Sequence, residues 1–171
     1  MSIVDELSPM AAKPDQVEIF GQLIHAAERS GHSLGTAESV TGGLLGYRLT
    51  SVAGSGEVFR GGLVAHQRDL KFRLLGVPEG PVVSAPAARA MAIGARRLLG
   101  CDLAVALTGV AGPEEQDGQP VGTVFIAIAA DNSSQAREYH YAGEPVEVRW
   151  QAAVSAAQNL ASVVGSSGRI E

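Results

Sequence analysis

The sequence predicts an α/β protein, a three-layer α/β/α sandwich with a mixed sheet of about five strands. Three observations carry that expectation. Helical patterns interleave with short apolar strand patterns along the chain, which puts helices on both faces of one sheet. Two strand patterns, "VGTVFIAIAAD" and "AREYHYAG", lie too close together for a crossover, so part of the sheet is antiparallel. Two glycine-rich stretches, "ESVTGG" and "TGVAGP", follow strand patterns, where open α/β sheets gather ligands.

Residues 1–12 read as a tail, 13–165 as a single domain and 166–171 as a second tail. The segment "PDQVEIFGQLIHAAERSG" places Val17, Phe20, Leu23, Ile24 and Ala27 at helical spacing, with Asp15 as the expected cap and Gly31 as the stop. "SLGTAE" is a short strand leading into "ESVTGG". "GGLLGYRLTSV" is a short helix, broken by "AGSGE". "EVFRGGLVAH" reads as a strand whose glycine pair marks a bulge or a close backbone approach. "QRDLKFRLLGVP" is a short helix, and "SAPAARAMAIGARRLLG" a strong one with Ser84 at its start and Gly100 past its end. The buried strand "CDLAVALTG", the loop "VAGPEEQDGQP" and the two adjacent strands come next. A final helix, "PVEVRWQAAVSAAQNLASVV", completes the domain.

Composition narrows the function classes. With 171 residues, 46% hydrophobic and 18% charged, the chain is globular, and its formal charge of −5 argues against general nucleic-acid binding. No run reaches the length of a membrane span, and the start "MSIVDELSPM" lacks the order of a signal peptide, so a cytoplasmic location is expected. One cysteine, Cys101, and four scattered histidines (His25, His32, His66, His140) supply no metal site, and no cofactor is expected. Of 13 cations only Lys13 and Lys71 are lysines. Arginine cannot give up its proton in a protein, whereas lysine can, so Lys71 is a candidate base.

Each motif has two readings. "ESVTGG" opens a helix; Ser39 or Thr41 caps it while Gly42 and Gly43 relax the backbone, or Ser39 is a nucleophile beside anion-binding amides. "TGVAGP" with "GQPVGT" is either a tight loop or backbone close to a ligand. Lys71 lies among Arg60, Arg68 and Arg73, countered by Glu57 and Asp69. It is either on a solvated helix face or, with its pKa depressed by burial and neighbouring cations, a base for a serine.

Together "TAESVTGGLLGYRLTSVAGSGEVFRGGLVAHQRDLKFRLLGV" and "ALTGVAGPEEQDGQPVGTVFIAIA" closely resemble the CinA C-terminal family, the nicotinamide-nucleotide amidohydrolases. The resemblance runs from the first helix to the last and corresponds to the stand-alone form. It implies metal-free hydrolysis of nicotinamide mononucleotide (NMN) to nicotinate mononucleotide and ammonia. Ser39 matches the family's nucleophile and Lys71 its downstream lysine. Val40 stands where the family has cysteine, and His66 where it has a tyrosine that organises the serine and lysine. That makes His66 a candidate catalytic residue, as a hydrogen-bond donor in the tyrosine's place or as a base near neutral pH. The residues implied to shape the substrate site are Glu38, Thr41, Gly42, Gly43, Thr108, Gly109, Gly112 and Arg149, the last in a "VRWQA" segment that reads equally as a subunit contact or a surface or helix-packing position. A homo-oligomer is implied as well. The other reading of the resemblance is a catalytically weak homologue that binds a phosphorylated nucleoside as a regulatory module.

Overall fold

The computed structural model describes residues 14–131, 133–166, 168 and 170; the tail expected over 1–12, and Lys13, lie outside them. The described strands are β1 (Leu34–Glu38), β2 (Phe59–Val64), β3 (Leu103–Gly109), β4 (Thr123–Ala129) and β5 (Ser134–His140). They form one sheet in the order β2-β1-β3-β4-β5. β1 runs parallel to both β2 and β3, whereas β3–β4 and β4–β5 are antiparallel, as the short connection before β5 requires. The helices are α1 (Pro14–Ser30), α2 (Leu44–Thr50), α3 (Ser55–Val58), α4 (Arg68–Leu75), α5 (Ala85–Leu99) and α6 (Pro145–Gly165).

Strand alternation builds two unlike cores. Leu103, Val105 and Leu107 of β3 and Val124, Ile126 and Ile128 of β4 face α1, α2, α3 and α6. Between them Ala104, Ala106, Ala127 and Ala129 face α4 and α5, with Met91 and the alanines of α5 packed against them. Small residues on both surfaces let α5 approach closely. At Gly94 the approach is extreme, because a Cβ there would come within 2.7 Å of the Leu75 backbone at the end of α4. The path from β1 to β2 crosses one face and the path from β2 to β3 the other, so the chain switches sides around β1. Such switch points are where ligands enter open α/β sheets.

Several expectations are refined. α1 starts at Pro14, so Asp15 lies inside it, and Val17 is exposed while Phe20, Leu23, Ile24 and Ala27 are buried. The segment ahead of β2 makes one helical turn, α3, before the strand begins. The β1–β2 register does shift, between Leu34 and Gly35, and a Cβ at Gly62 would collide with the Thr36 hydroxyl. β5 begins at Ser134, two residues before the alternating segment read from the sequence. Ser84 caps α5 through Ala87 N–H (3.3 Å), and Gly100 closes it in the left-handed region.

Candidate active site

The parallel strands β2, β1 and β3 end at one edge of the sheet, and the segments that follow them meet there. Ser39 continues the ladder past β1, its N–H donating to Leu107 O at 3.0 Å. Ala65 does the same past β2, donating to Glu38 O at 2.9 Å. Side chains of a strand alternate between faces. Ala37 packs in the core under α4 and α5, and Ser39, two residues on, lines the cavity that α4 overhangs. Glu38 goes to the opposite face, toward α2.

There Glu38 is buried and works for the fold. One carboxylate oxygen accepts from Thr41 Oγ1–H (2.7 Å), Gly43 N–H (3.1 Å) and Leu45 N–H (3.0 Å). The other accepts from Gly46 N–H (2.7 Å). These donors include the first amides of α2, whose N-cap is Gly43 with no side-chain cap of its own. Neither Ser39 nor Thr41 caps the helix; a strand-end carboxylate takes that place, as an anion at a helix start is favoured to do. The reading of these amides as an oxyanion site is therefore corrected, since Gly43, Leu45 and Gly46 already donate to Glu38. Gly42 and Gly43 adopt φ of 62° and 99°, left-handed values that let the turn wrap the carboxylate. Glu38, Thr41, Gly42 and Gly43 do not line the cavity.

The cavity, about 420 Å³, brings together Ser39, His66, Lys71, Thr108, Gly109, Gly112 and Arg149, with Arg68, Glu114 and Gln116 also in its wall. Thr108 donates its hydroxyl proton to Val82 O (2.7 Å), fastening the 78–83 loop. At Gly109 a Cβ would lie 2.6 Å from Thr123 O, so glycine is required there by the neighbouring strand. Arg149 of α6 donates from Nε to Val40 O (3.2 Å), tying the last helix to the segment after β1.

Lys71 is the buried cation of the site, 2% exposed, which excludes a solvated helix face. Its Nζ donates to His66 O at 2.7 Å. Burial first, then the Arg68 charge, push its pKa down from 10.5 to about 8, against a smaller upward pull from Asp117. Because the folded value is the lower one, the cost of burying the ammonium is present in full below pH 8. It fades as pH rises through the ordinary lysine range. That cost is roughly 3 kcal/mol, and the bond to the His66 carbonyl offsets about 1 kcal/mol of it. Lys71→Met is thus expected to stabilise the protein by about 1–2 kcal/mol at pH 7. Urea midpoints at pH 7 and pH 10.5 should show the gain shrinking with pH.

Asp117 is the residue that sequence patterns did not single out. Gln116 and Gln119 exchange backbone hydrogen bonds (3.2 and 2.9 Å) around Asp117 and Gly118, whose φ values are 55° and 74°. Two left-handed residues in a two-residue turn are what a tight hairpin needs, and the Asp-Gly pair inside "EEQDGQP" was the available signal. The carboxylate accepts from Val82 N–H (2.7 Å), Val83 N–H (3.0 Å) and the Arg68 guanidinium (2.9 Å). Burial works against its ionisation, but the Val83 and Val82 amides and Arg68 together hold its pKa below the usual carboxylate value.

Comparison with known proteins adds the evolutionary context. Residues 17–164 match the model of the CinA C-terminal domain. A CinA-like protein of Geobacter sulfurreducens is 48% identical over 132 residues, covering 74% of this chain and 32% of that protein. A CinA-like protein of Frankia casuarinae is 43% identical over 129 residues, covering 72% and 30%. The chain thus spans about a third of the length of these curated relatives. Among solved structures, the competence/damage inducible protein of Agrobacterium tumefaciens superposes with a TM-score of 0.84 at 33% identity, covering 90% of this chain and 98% of that one. A competence-damaged protein (CinA) superfamily protein of Klebsiella pneumoniae gives 0.85 at 29%, covering 88% and 98%. No helix among the described residues is long and apolar enough to cross a membrane.

Proposed function

The chain belongs to the CinA C-terminal domain family, and from that premise we propose that it is an amidohydrolase converting NMN to nicotinate mononucleotide and ammonia. The observation that carries this reading is the convergence of the Ser39 hydroxyl and the desolvated Lys71 amine on one cavity. A lysine with a pKa of about 8 is about one-tenth neutral at pH 7, enough to serve as a base. The lining also carries Arg68, Lys71 and Arg149 against Glu114, a cationic balance that suits a phosphate.

In the proposed reaction neutral Lys71 takes the Ser39 proton as the Ser39 oxygen adds to the carboxamide carbon. The tetrahedral adduct collapses, Lys71 returns the proton to the nitrogen, and ammonia leaves. Water then adds to the acyl-serine and gives its proton to Lys71. As the ester breaks, the Ser39 oxygen recovers that proton, and the acid released gives its remaining proton to solvent to become the carboxylate. The test is ammonia release from NMN by the purified protein. Turnover should rise with pH and level off above about 8, as Lys71 loses its proton. No ammonia at any pH would overturn the reading.

His66 gives a second reading its specific support. It stands where a tyrosine would organise the serine and lysine, and it lines the same cavity as both. In this reading the chain is a nucleotide-binding regulatory module with residual hydrolysis. His66→Tyr should then raise turnover by about tenfold or more; unchanged or lower turnover favours the hydrolase as it stands.

A further inference from the structure

Arg68 and Lys71 lie one helical turn apart on α4 and both line the cavity. The Arg68 guanidinium has two anchors: it donates to the Asp117 carboxylate at 2.9 Å and to Gly80 O at 2.7 Å. Asp117 is in turn pinned by the amides of Val82 and Val83, and Thr108 holds Val82 from the sheet edge. The result is a closed tie from β3 through the 78–83 loop and the 116–119 hairpin to α4. The far end of this eight-residue helix is packed against α5 at Gly94, so the tie acts on its other end, where Arg68 and Lys71 lie. Arg68 is half-exposed while the Asp117 carboxylate is nearly buried, so the pair fixes the guanidinium at the rim of the cavity. This sets a positive charge near a buried amine.

We propose that the Arg68–Asp117 pair is a positioning device for Lys71, holding a second cation one helical turn from the amine while the carboxylate keeps that cation in place. The inference rests on Lys71 being the base. The charged and titratable groups around the amine are Arg68 on its own helix, Asp117 on the hairpin, His66 after β2, Glu114 in the β3–β4 connection and Arg149 on α6. Of these, Arg68 opposes the ammonium form and Asp117 favours it. The two charges act on Lys71 with opposite sign, so removing either one moves the amine in a different direction.

The chain has two lysines, Lys13 and Lys71, so protein labelled with ¹³C at the lysine ε-carbon gives two signals, and Lys71→Met assigns them. Arg68→Met is expected to raise the Lys71 titration midpoint by about 0.5–1 pH unit. Asp117→Asn, with the guanidinium still held by Gly80 O through its other nitrogen, is expected to lower it by about 0.5, and Arg68→Lys, which keeps the charge, to leave it within about 0.2. Midpoints unmoved by both charge removals, or moved in the same direction, overturn the proposal. So does loss of the native fold in every variant, which would make the pair a structural tie. The pH profile of ammonia release separates the two claims. If the midpoint moves and the profile follows, both stand. If the midpoint moves while the profile stays or no ammonia appears, Lys71 is not the base, although the pair still tunes it.

Discussion

Ser39→Ala is expected to abolish ammonia release from NMN, by about a thousandfold or more. In the proposed mechanism, removing the serine leaves binding and field effects in place but no atom to form the acyl intermediate, so the loss should fall on kcat with KM little changed. Ser39 is nearly buried, and its backbone N–H is bonded to Leu107 O whichever side chain it carries. The variant should therefore keep its melting midpoint within about 1 kcal/mol of stability. Fold and chemistry are thus separable at this position. Wild-type turnover in Ser39→Ala would remove the serine from the mechanism, and a collapse of stability would make the loss uninterpretable as catalysis.

The second large effect lies one residue earlier and has the opposite character. Glu38→Ala is expected to cost about 3–5 kcal/mol, the sum of several buried donors left unsatisfied. It strips acceptors from the amides of Gly43, Leu45 and Gly46 and from the Thr41 hydroxyl, all in a place water reaches poorly. Glu38→Gln should cost less, about 1–3 kcal/mol. Whichever way the amide turns, its NH2 faces a backbone donor that cannot reverse, Gly46 N–H on one side or Gly43 and Leu45 N–H on the other. Urea denaturation measures both. A Glu38→Ala protein within 1 kcal/mol of wild type would mean the turn finds other acceptors, and Glu38 would no longer be assigned a structural role.

These neighbours show what could be read in the sequence. The alternation that gives β1 its two faces also sends positions 38 and 39 apart, so the split between a structural acid and a cavity-facing hydroxyl was implicit in "TAES". What the pattern could not supply was the direction of the Glu38 carboxylate, which depends on where the next helix begins. The sheet and its helices were legible because β1, β3 and β4, buried on both faces, read as short apolar runs, while α1 and α5 carry a 3.6-residue period. Lys71 was ambiguous, since a lone lysine among arginines reads equally as surface; only the packing of α4 beside α5 at the sheet edge decides that its side chain is buried. Asp117 was hidden for another reason. Its partners come from positions 34 to 49 residues away in sequence, and no local pattern encodes such a meeting.

The glycine at position 94 has a consequence of its own. With no side chain between α5 and the end of α4, the rod bearing the amine is riveted at one end and has little room to rock. The hairpin carrying Asp117 sits at the mouth on two short strands of backbone. Through Asp117 that small turn clasps Arg68 at the opposite end of the rod, so the amine rides on a beam anchored at both ends.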